Sequence, residues 1–487
     1  MSPDKVAIIG GGVSGLAAGI RLARQGFDVS LFEAQGTLGG CCSTTAIDGF
    51  TFNNGAMFVA VPRLLEHAFA QLGLDRKSLL PLRRISAPQA AFLPDGTSVA
   101  FGPGRSVRIE GRNGAARTAV LASEIDQCVA KWRPLLQIFT DDLLTQPLSL
   151  PRVIAKAWRH LPKLRGSLAA ELHRQFSDPE ARAAVSAVTL YTGLPPERTP
   201  VFQIVGFVSM LEDGLYLPEG GMGAISDVMH KAFLDLGGKV HTDTRVEKIK
   251  VEDGQVRALI LERKEEVPVS AVISTASGMA TFTELIEPAS VPSAMKRRVR
   301  HAPLSHRALS VQLGLANHLQ PSAHSVNHVP LIEEQHLMLA PQPVGTEWLS
   351  YTVPTLTMPE LAPEGGSIIE MFTAVDQNQP LAFWDTAAKQ AAADAAIEAL
   401  ARHLPLDIAV RRITSPKDYA QRMNLYEGAV YGLSPAARPN QQFPRESPIA
   451  GLFLAGQTTY PGFGVAPSLF SGIFAANALS KHISGTR

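Results

Sequence analysis

The chain has 487 residues, 45% of them hydrophobic and 18% charged; that is more than one core usually fills, so a globular α/β protein of two domains is expected. Lys plus Arg number 45 against 44 Asp plus Glu, which leaves no overall basic footprint and excludes a nucleic-acid partner from the expectation. Three cysteines, Cys41, Cys42 and Cys128, in an odd number and without metal spacing, fit a reduced cytoplasmic setting, and the longest apolar stretches, such as 201–211, fall short of the roughly 20 residues a spanning helix needs.

Residues 5–34 read KVAIIGGGVSGLAAGIRLARQGFDVSLFEA. A secretory h-region has no use for Gly10, Gly11, Gly12, Gly15 and Gly19 in one span, and a second strand-like run follows where a cleavage site would be needed. The spacing predicts a buried strand over 6–9, a tight turn at Gly10 and Gly12 that opens the backbone to a pyrophosphate, and a helix brought close by Gly15. Gly26 ends that helix. A second strand over 29–32 delivers Glu33, 23 residues after Gly10, where a carboxylate accepts hydrogen bonds from ribose hydroxyls and repels a 2′-phosphate. The pattern therefore specifies a dinucleotide site.

Further along, residues 120–188 are helix-rich. Within them, residues 131–165 hold seven Lys or Arg against Asp141 and Asp142, with Trp132 and Trp158 among leucines. Such a stretch suits either an anionic membrane surface that admits an apolar substrate or an amphipathic subdomain with solvated charges; a second basic run lies at 296–300. Over 239–262 the sequence KVHTDTRVEKIKVEDGQVRALILE alternates apolar and charged residues, with Asp253-Gly254 as a hairpin turn, and AVISTA adds a buried strand. ALSVQLGL is strand-like and AAKQAAADAAIEALARHL helical. Near the end, residues 452–455 read as a buried strand and a helix begins near Val465.

Three stretches carry a family resemblance: GTLGGCCSTTAIDGFTFNNGAMF, GLYLPEGGMGAISDVMHKAFLDLGGKVHTDTRV, and NLYEGAVYGLSP followed by GLFLAGQTTYPGFGVAPSLFSGIFAANAL. Together they resemble the bacterial phytoene desaturases, within the flavin amine oxidase and carotenoid oxidoreductase group. The likeness covers roughly two fifths of the chain and extends loosely to LYTGLPPERTP. It implies a Rossmann-type FAD-binding domain of the glutathione-reductase type, from residues 1–74, 214–277 and 419–487. A discontinuous mixed α+β substrate domain would come from 75–213 and 278–418, with a helical, membrane-facing candidate near 120–190.

The resemblance implies noncovalent FAD, held by Gly10, Gly12, Val13, Ser14 and Gly15, by Glu33 at the ribose and by Gly39 and Gly40 along the pyrophosphate and ribityl chain, with Ala34, Cys41, Gly55 and Ala56 also in the cofactor site. Val246 would offer main-chain groups to the adenine, and Gly456, Gly464 and Val465 would meet the flavin. There the final helix points its positive end at the ring and stabilises charge on the reduced pyrimidine by up to ~2 kcal/mol. Three departures stand out: Cys41 where many members carry arginine, Asn53 where an acid is common, and Gln457 where an acid often follows the glycine. No cysteine in the C-terminal region is available for a flavin thioether. No second strand-glycine-helix motif serves a nicotinamide, so reoxidation by oxygen, a quinone or another carrier is expected.

The implied reaction is hydride transfer between a long apolar or polyene substrate, a carotenoid or a polyketide-derived relative, and flavin N5. Isomerase, saturase or polyene tetramate cyclase chemistry, amine oxidation and a noncatalytic flavoprotein are the alternatives. Such chemistry needs orientation and a dry cavity more than acid-base groups. Tyr460 and Phe463 are candidates to line that cavity, with plain packing as the competing reading. His301, His306, Tyr191, Tyr216, Tyr426 and Tyr431 receive no catalytic role. Peripheral association with the inner face of a membrane is left open, as is the oligomeric state.

Overall fold

Gly10 sits where strand becomes helix, at φ +98°, and its position shows how the first 34 residues fold. Strand β1 (Lys5–Ile9) is buried over its last four residues; helix α1 (Val13–Ala23) returns across it, and β2 (Asp28–Phe32) pairs parallel beside it, Ile9 opposite Phe32. Gly15 allows the close return, because a Cβ there would overlap the Gly10 carbonyl oxygen. We describe residues 4–262, 264–340 and 349–485 from a computed structural model of the chain.

The parallel sheet runs Lys239–His241, β2, β1, Ala271–Ser274, Leu452–Leu454. Such a sheet must be covered on both faces. One face carries α1 and the C-terminal helix Val465–Gly485, which approach closely because Gly472 lies against the Ser14 carbonyl. The other carries the antiparallel meander Val246–Glu252, Gln255–Leu261, Glu266–Pro268, whose Val246, Ile249, Val256 and Leu259 pack with Ala7, Ile9 and Phe32. Only Lys239–His241 of the predicted alternating segment leaves that meander for the parallel sheet.

A second sheet has eight strands, in the order Ile408–Thr414, Ala308–Leu315, Ser367–Ala374, Leu349–Thr352, Ser325–His328, Gln89–Phe92, Ser98–Phe101, Val107–Glu110. All its pairings are antiparallel except Ser325–His328 with Gln89–Phe92, the seam between its two chain segments. Helix Thr386–Ala401 packs in the core cluster on one face through Ala393 and Leu400. Helices Gly114–Ile138, Pro179–Leu190 and Ile204–Glu212 form a layer with the far strands. Between the sheets runs the hairpin β3 (Thr44–Ile47) and β4 (Phe50–Asn53).

Residues 278–300 differ from their expected placement with the substrate domain. Met279, Phe282, Ile286 and Met295 pack in the same cluster as Ala7, Val272 and Leu454, because Gly278–Thr283 starts directly where the parallel strand Ala271–Ser274 ends. Among the described residues no helix is long and apolar enough to cross a membrane.

Candidate functional site

A cavity of about 470 Å³ opens at the carboxyl ends of the parallel strands and runs to the eight-stranded sheet, the position where open α/β sheets bind ligands. Gly10, Gly12, Val13 and Ser14 line it at the start of α1. A Cβ on Gly12, the residue preceding the helix, would meet no protein atom within 4 Å and would stand in the cavity instead. The first N–H groups of α1 have no partners within the helix, so this surface is one that accepts an anion.

Glu33, at the end of β2, lines the same cavity. Its Oε2 accepts from the Gly11 N–H at 2.7 Å and its Oε1 from the Gln35 N–H at 2.9 Å. Two lone pairs remain for hydroxyl donors. Thr244, Arg245 and Val246 flank this end, with the Thr244 N–H donating to the Glu33 carbonyl at 2.8 Å.

Gly39 (φ +104°) and Gly40 (φ +55°) cross over the glycine turn, the Gly39 N–H donating to the Gly11 carbonyl at 2.8 Å. Cys41 follows, and the Ala56 N–H donates to its carbonyl at 2.8 Å, which brings Gly55 and Ala56 into the lining. Burial pushes the Cys41 thiol up to about 11 and the Cys42 thiol to about 12, so both are neutral near pH 7. At the other end Gly456 (φ +98°), Gly464 (φ +104°), Val465 and Ser468 line the cavity, so a second helix N-terminus faces it.

Of the sequence candidates, Gly15 lies behind the lining, against Gly10. Ala34 is in it. Tyr460 and Phe463 are not among the lining residues: the Tyr460 hydroxyl donates to the Leu143 carbonyl at 2.5 Å, and the Phe463 ring lies against Tyr431, tilted by 34° with centroids 4.7 Å apart. Tyr431, which received no role from sequence, forms the wall with Phe372 and Val430. His306 packs behind those two rings, 5.6 Å from Tyr431 and 5.9 Å from Phe372, and burial pulls it down to about 4, a neutral imidazole near pH 7. His301 is exposed.

Sequence reasoning missed Thr275, Ala276 and Ser277, which line the cavity just past the strand Ala271–Ser274; strand followed by small residues was the available signal. It also missed Arg412, Thr414 and Tyr419, which arrive from the edge of the eight-stranded sheet and the helix after it and carry no local signature. Among the described residues no cluster of His, Cys, Asp and Glu could hold a metal.

The arrangement fits FAD on its own chemistry. Two helix N-termini suit a diphosphate and an electron-rich ring edge, a carboxylate stands where ribose hydroxyls need an acceptor, and apolar side chains close the far end.

Comparisons with known proteins agree. The family model described as flavin containing amine oxidoreductase matches residues 13–480. Among curated proteins the chain is 28% identical to a zeta-carotene-forming phytoene desaturase of Myxococcus xanthus, over 96% of this chain and 92% of that one. It is 23% identical to a 4,4'-diapophytoene desaturase of a Methylomonas species, over 98% and 95%. Among solved structures an oxidoreductase from Methanosarcina mazei superposes with a TM-score of 0.65 at 17% identity, covering 97% of this chain and all of that one, which establishes likeness of fold.

Proposed function

The chain belongs to the flavin containing amine oxidoreductase family and is an FAD-dependent oxidoreductase acting on CH–CH bonds, and from that premise we propose that it desaturates a long apolar polyene of the carotenoid class. The observation that carries this reading is the single cavity itself: it joins the glycine and Glu33 cradle to a wall of Phe372, Val430 and Tyr431. Relatives of nearly the same length are named for desaturating phytoene and diapophytoene.

FAD, when bound, supplies the acceptor for a hydride at N5. The chain's own residues supply placement. Gly10, Gly12, Val13, Ser14, Glu33, Ala34, Gly39, Gly40, Gly55, Ala56, Val246, Gly456, Gly464 and Val465 are proposed to hold the cofactor through backbone donors and one carboxylate. Phe372 and Tyr431 present flat apolar surface that orients a polyene and excludes water. No histidine is among the lining residues, and the acids Glu33 and Glu284 belong to the Arg245 end of the cavity. Tyr431 is pushed up by burial and keeps its proton. A reaction that needs orientation rather than a strong base suits such walls.

We assign the cofactor to residues 1–74, 214–277 and 419–487, joined by the helices of 278–300, and the substrate to the eight-stranded sheet and its helices. The route for an apolar substrate is proposed to be the segment 148–161. Leu150, Ile154 and Trp158 there are 69, 51 and 55% exposed, beside Arg152 and Arg159, the latter 5.1 Å over the Trp158 ring. Apolar side chains interleaved with cations suit the surface of an anionic bilayer. The first basic half of the stretch is accounted for within the fold: Lys131 and Trp132 both donate to Glu171, and Arg133 pairs with Glu212.

The test is anaerobic titration of the FAD-loaded protein with phytoene or diapophytoene in anionic vesicles, followed by product analysis. Bleaching of the visible flavin band with new conjugated double bonds supports the reading. Bleaching by amines alone, or isomerised product without net oxidation, overturns it. Leu150→Ser with Trp158→Ser should reduce vesicle co-sedimentation while FAD content stays constant.

A further inference from the structure

The residue directly after the Gly39–Gly40 crossing is the neutral thiol Cys41, so no cation stands there. The ionisable groups lining the cavity, apart from cysteines and tyrosines, are Glu33, Glu284, Arg245, Arg412 and Arg422. Glu33 is already engaged by two backbone N–H groups. Arg245 donates to the Asn424 side chain at 3.3 Å, and Arg422 is exposed. Arg412 differs from all of these.

Arg412 lies on the strand Ile408–Thr414, with Thr414 as the next lining residue along the same face. It is partly buried and forms no ion pair with any carboxylate among the described residues. Its one hydrogen bond is from Nη1 to the Gln312 Oε1 at 2.5 Å. Gln312 Nε2 in turn donates to the Asn53 carbonyl at 2.5 Å and to Glu370 Oε1 at 3.3 Å. Glu370 accepts from the Asn53 N–H at 2.7 Å and its Nδ2 at 3.3 Å, while Asn53 Oδ1 accepts from the Met222 N–H at 2.9 Å. This chain of contacts fixes Arg412 to the end of β4, in the hairpin that follows the Gly39–Gly40–Cys41 crossing. Cys41 packs on the cluster containing Tyr419, which also lines the cavity.

A guanidinium that is partly buried, turned to a cavity and hydrogen-bonded to a neutral partner keeps four N–H donors without a hydrogen-bond partner among the described residues, an arrangement that can meet an anion. Arginine is suited to the oxygens of a phosphate by its fork of donors. We propose that Arg412 is the cation that binds the cofactor's diphosphate in this chain, with Gln312, Glu370 and Asn53 as positioning residues. The inference rests on FAD being the bound cofactor and is independent of which substrate is oxidised.

The experiment measures FAD dissociation from parent, Arg412→Gln, Cys41→Arg and the double variant Cys41→Arg/Arg412→Gln, by fluorescence and at several salt concentrations. Loss of one charged contact predicts FAD binding roughly 10- to 100-fold weaker in Arg412→Gln, with a shallower salt dependence. Restoration of most of that loss in the double variant is the expected signature. FAD affinity within twofold of the parent in Arg412→Gln overturns the proposal, as does a loss that Cys41→Arg leaves untouched. Should Arg412→Gln fail to fold, Arg412→Lys replaces it, with weaker binding by a few fold and an unchanged salt slope expected; unchanged affinity there counts against the proposal. Protein that takes up no FAD at all would sink the cofactor reading itself, whereas equal FAD uptake by parent and variant sinks only the role of Arg412.

Discussion

Glu370 is 4% exposed and sits between Asn53, Gln312 and Arg412. Burial raises its carboxyl to about 7, against the hydrogen bonds from Asn53 and Gln312 and the charge of Arg412, which pull it down. Its ordinary value is 4.5. A carboxyl raised in the folded state contributes stability that is full below pH 4.5 and is lost as pH climbs through 7. The difference corresponds to about 3 kcal/mol across that window.

Glu370→Gln removes the titration and adds a constant cost of about 1–3 kcal/mol, because its amide nitrogen must face an Asn53 donor. The pH dependence therefore isolates the charge from the packing. Urea unfolding followed by circular dichroism, with FAD saturating at pH 5, 6, 7 and 8, should show the variant gaining about 3 kcal/mol on the parent as pH rises. Parallel stability curves for the two proteins would show that Glu370 is ionised or solvated in the fold, and the reasoning would be wrong.

Gly15→Ala places a methyl on the Gly10 carbonyl oxygen, so α1 must lift off β1; a loss of about 1–3 kcal/mol or more and depleted FAD are expected, read from the thermal midpoint and the ratio of visible to ultraviolet absorbance, and an unchanged flavin content would refute it. His324 is fully buried, neither ring nitrogen has a hydrogen-bond partner among the described residues, and burial holds it down to about 4. Its contribution is present above pH 6.5 and lost as pH falls through 4, so His324→Leu should remove about 3 kcal/mol of acid sensitivity, visible as a lower acid-unfolding midpoint; a midpoint that does not move contradicts this. Burial raises the Cys42 and Cys128 thiols to about 12, so neither should react promptly with a disulfide reagent at pH 8. Cys41, which lines the cavity and is half-buried with a thiol raised to about 11, should be labelled slowly, and faster in FAD-free protein than with FAD bound; equal rates would place the cofactor elsewhere.

The half of the cavity proposed to hold the cofactor was legible as a glycine-lined cleft because its signals are local. A glycine at φ +98°, a helix that begins three residues later and an acid at the end of the next strand lie within 24 consecutive residues, Gly10 to Glu33. The same holds for Gly456, Gly464 and Val465. Tyr460 and Phe463 were misplaced for a related reason. Sequence puts them on the approach to the final helix, but only packing decides that one reaches the Leu143 carbonyl and the other lies against Tyr431.

Residues 4–34, 271–274 and 452–485 thus determined by themselves buried strands, the glycine turn and the positive helix ends, because backbone conformation and alternation of apolar residues depend on near neighbours. The tertiary structure alone decided what closes the cavity. Asn53 meets Glu370 across 317 positions and Gln312 across 259, and Arg412 reaches the cavity only because its strand pairs with Ala308–Leu315 at the edge of a sheet assembled from distant segments. Pairings at such separations leave no periodic trace in the chain, since they are selected by the burial of whole faces and by the satisfaction of polar groups that folding removes from water.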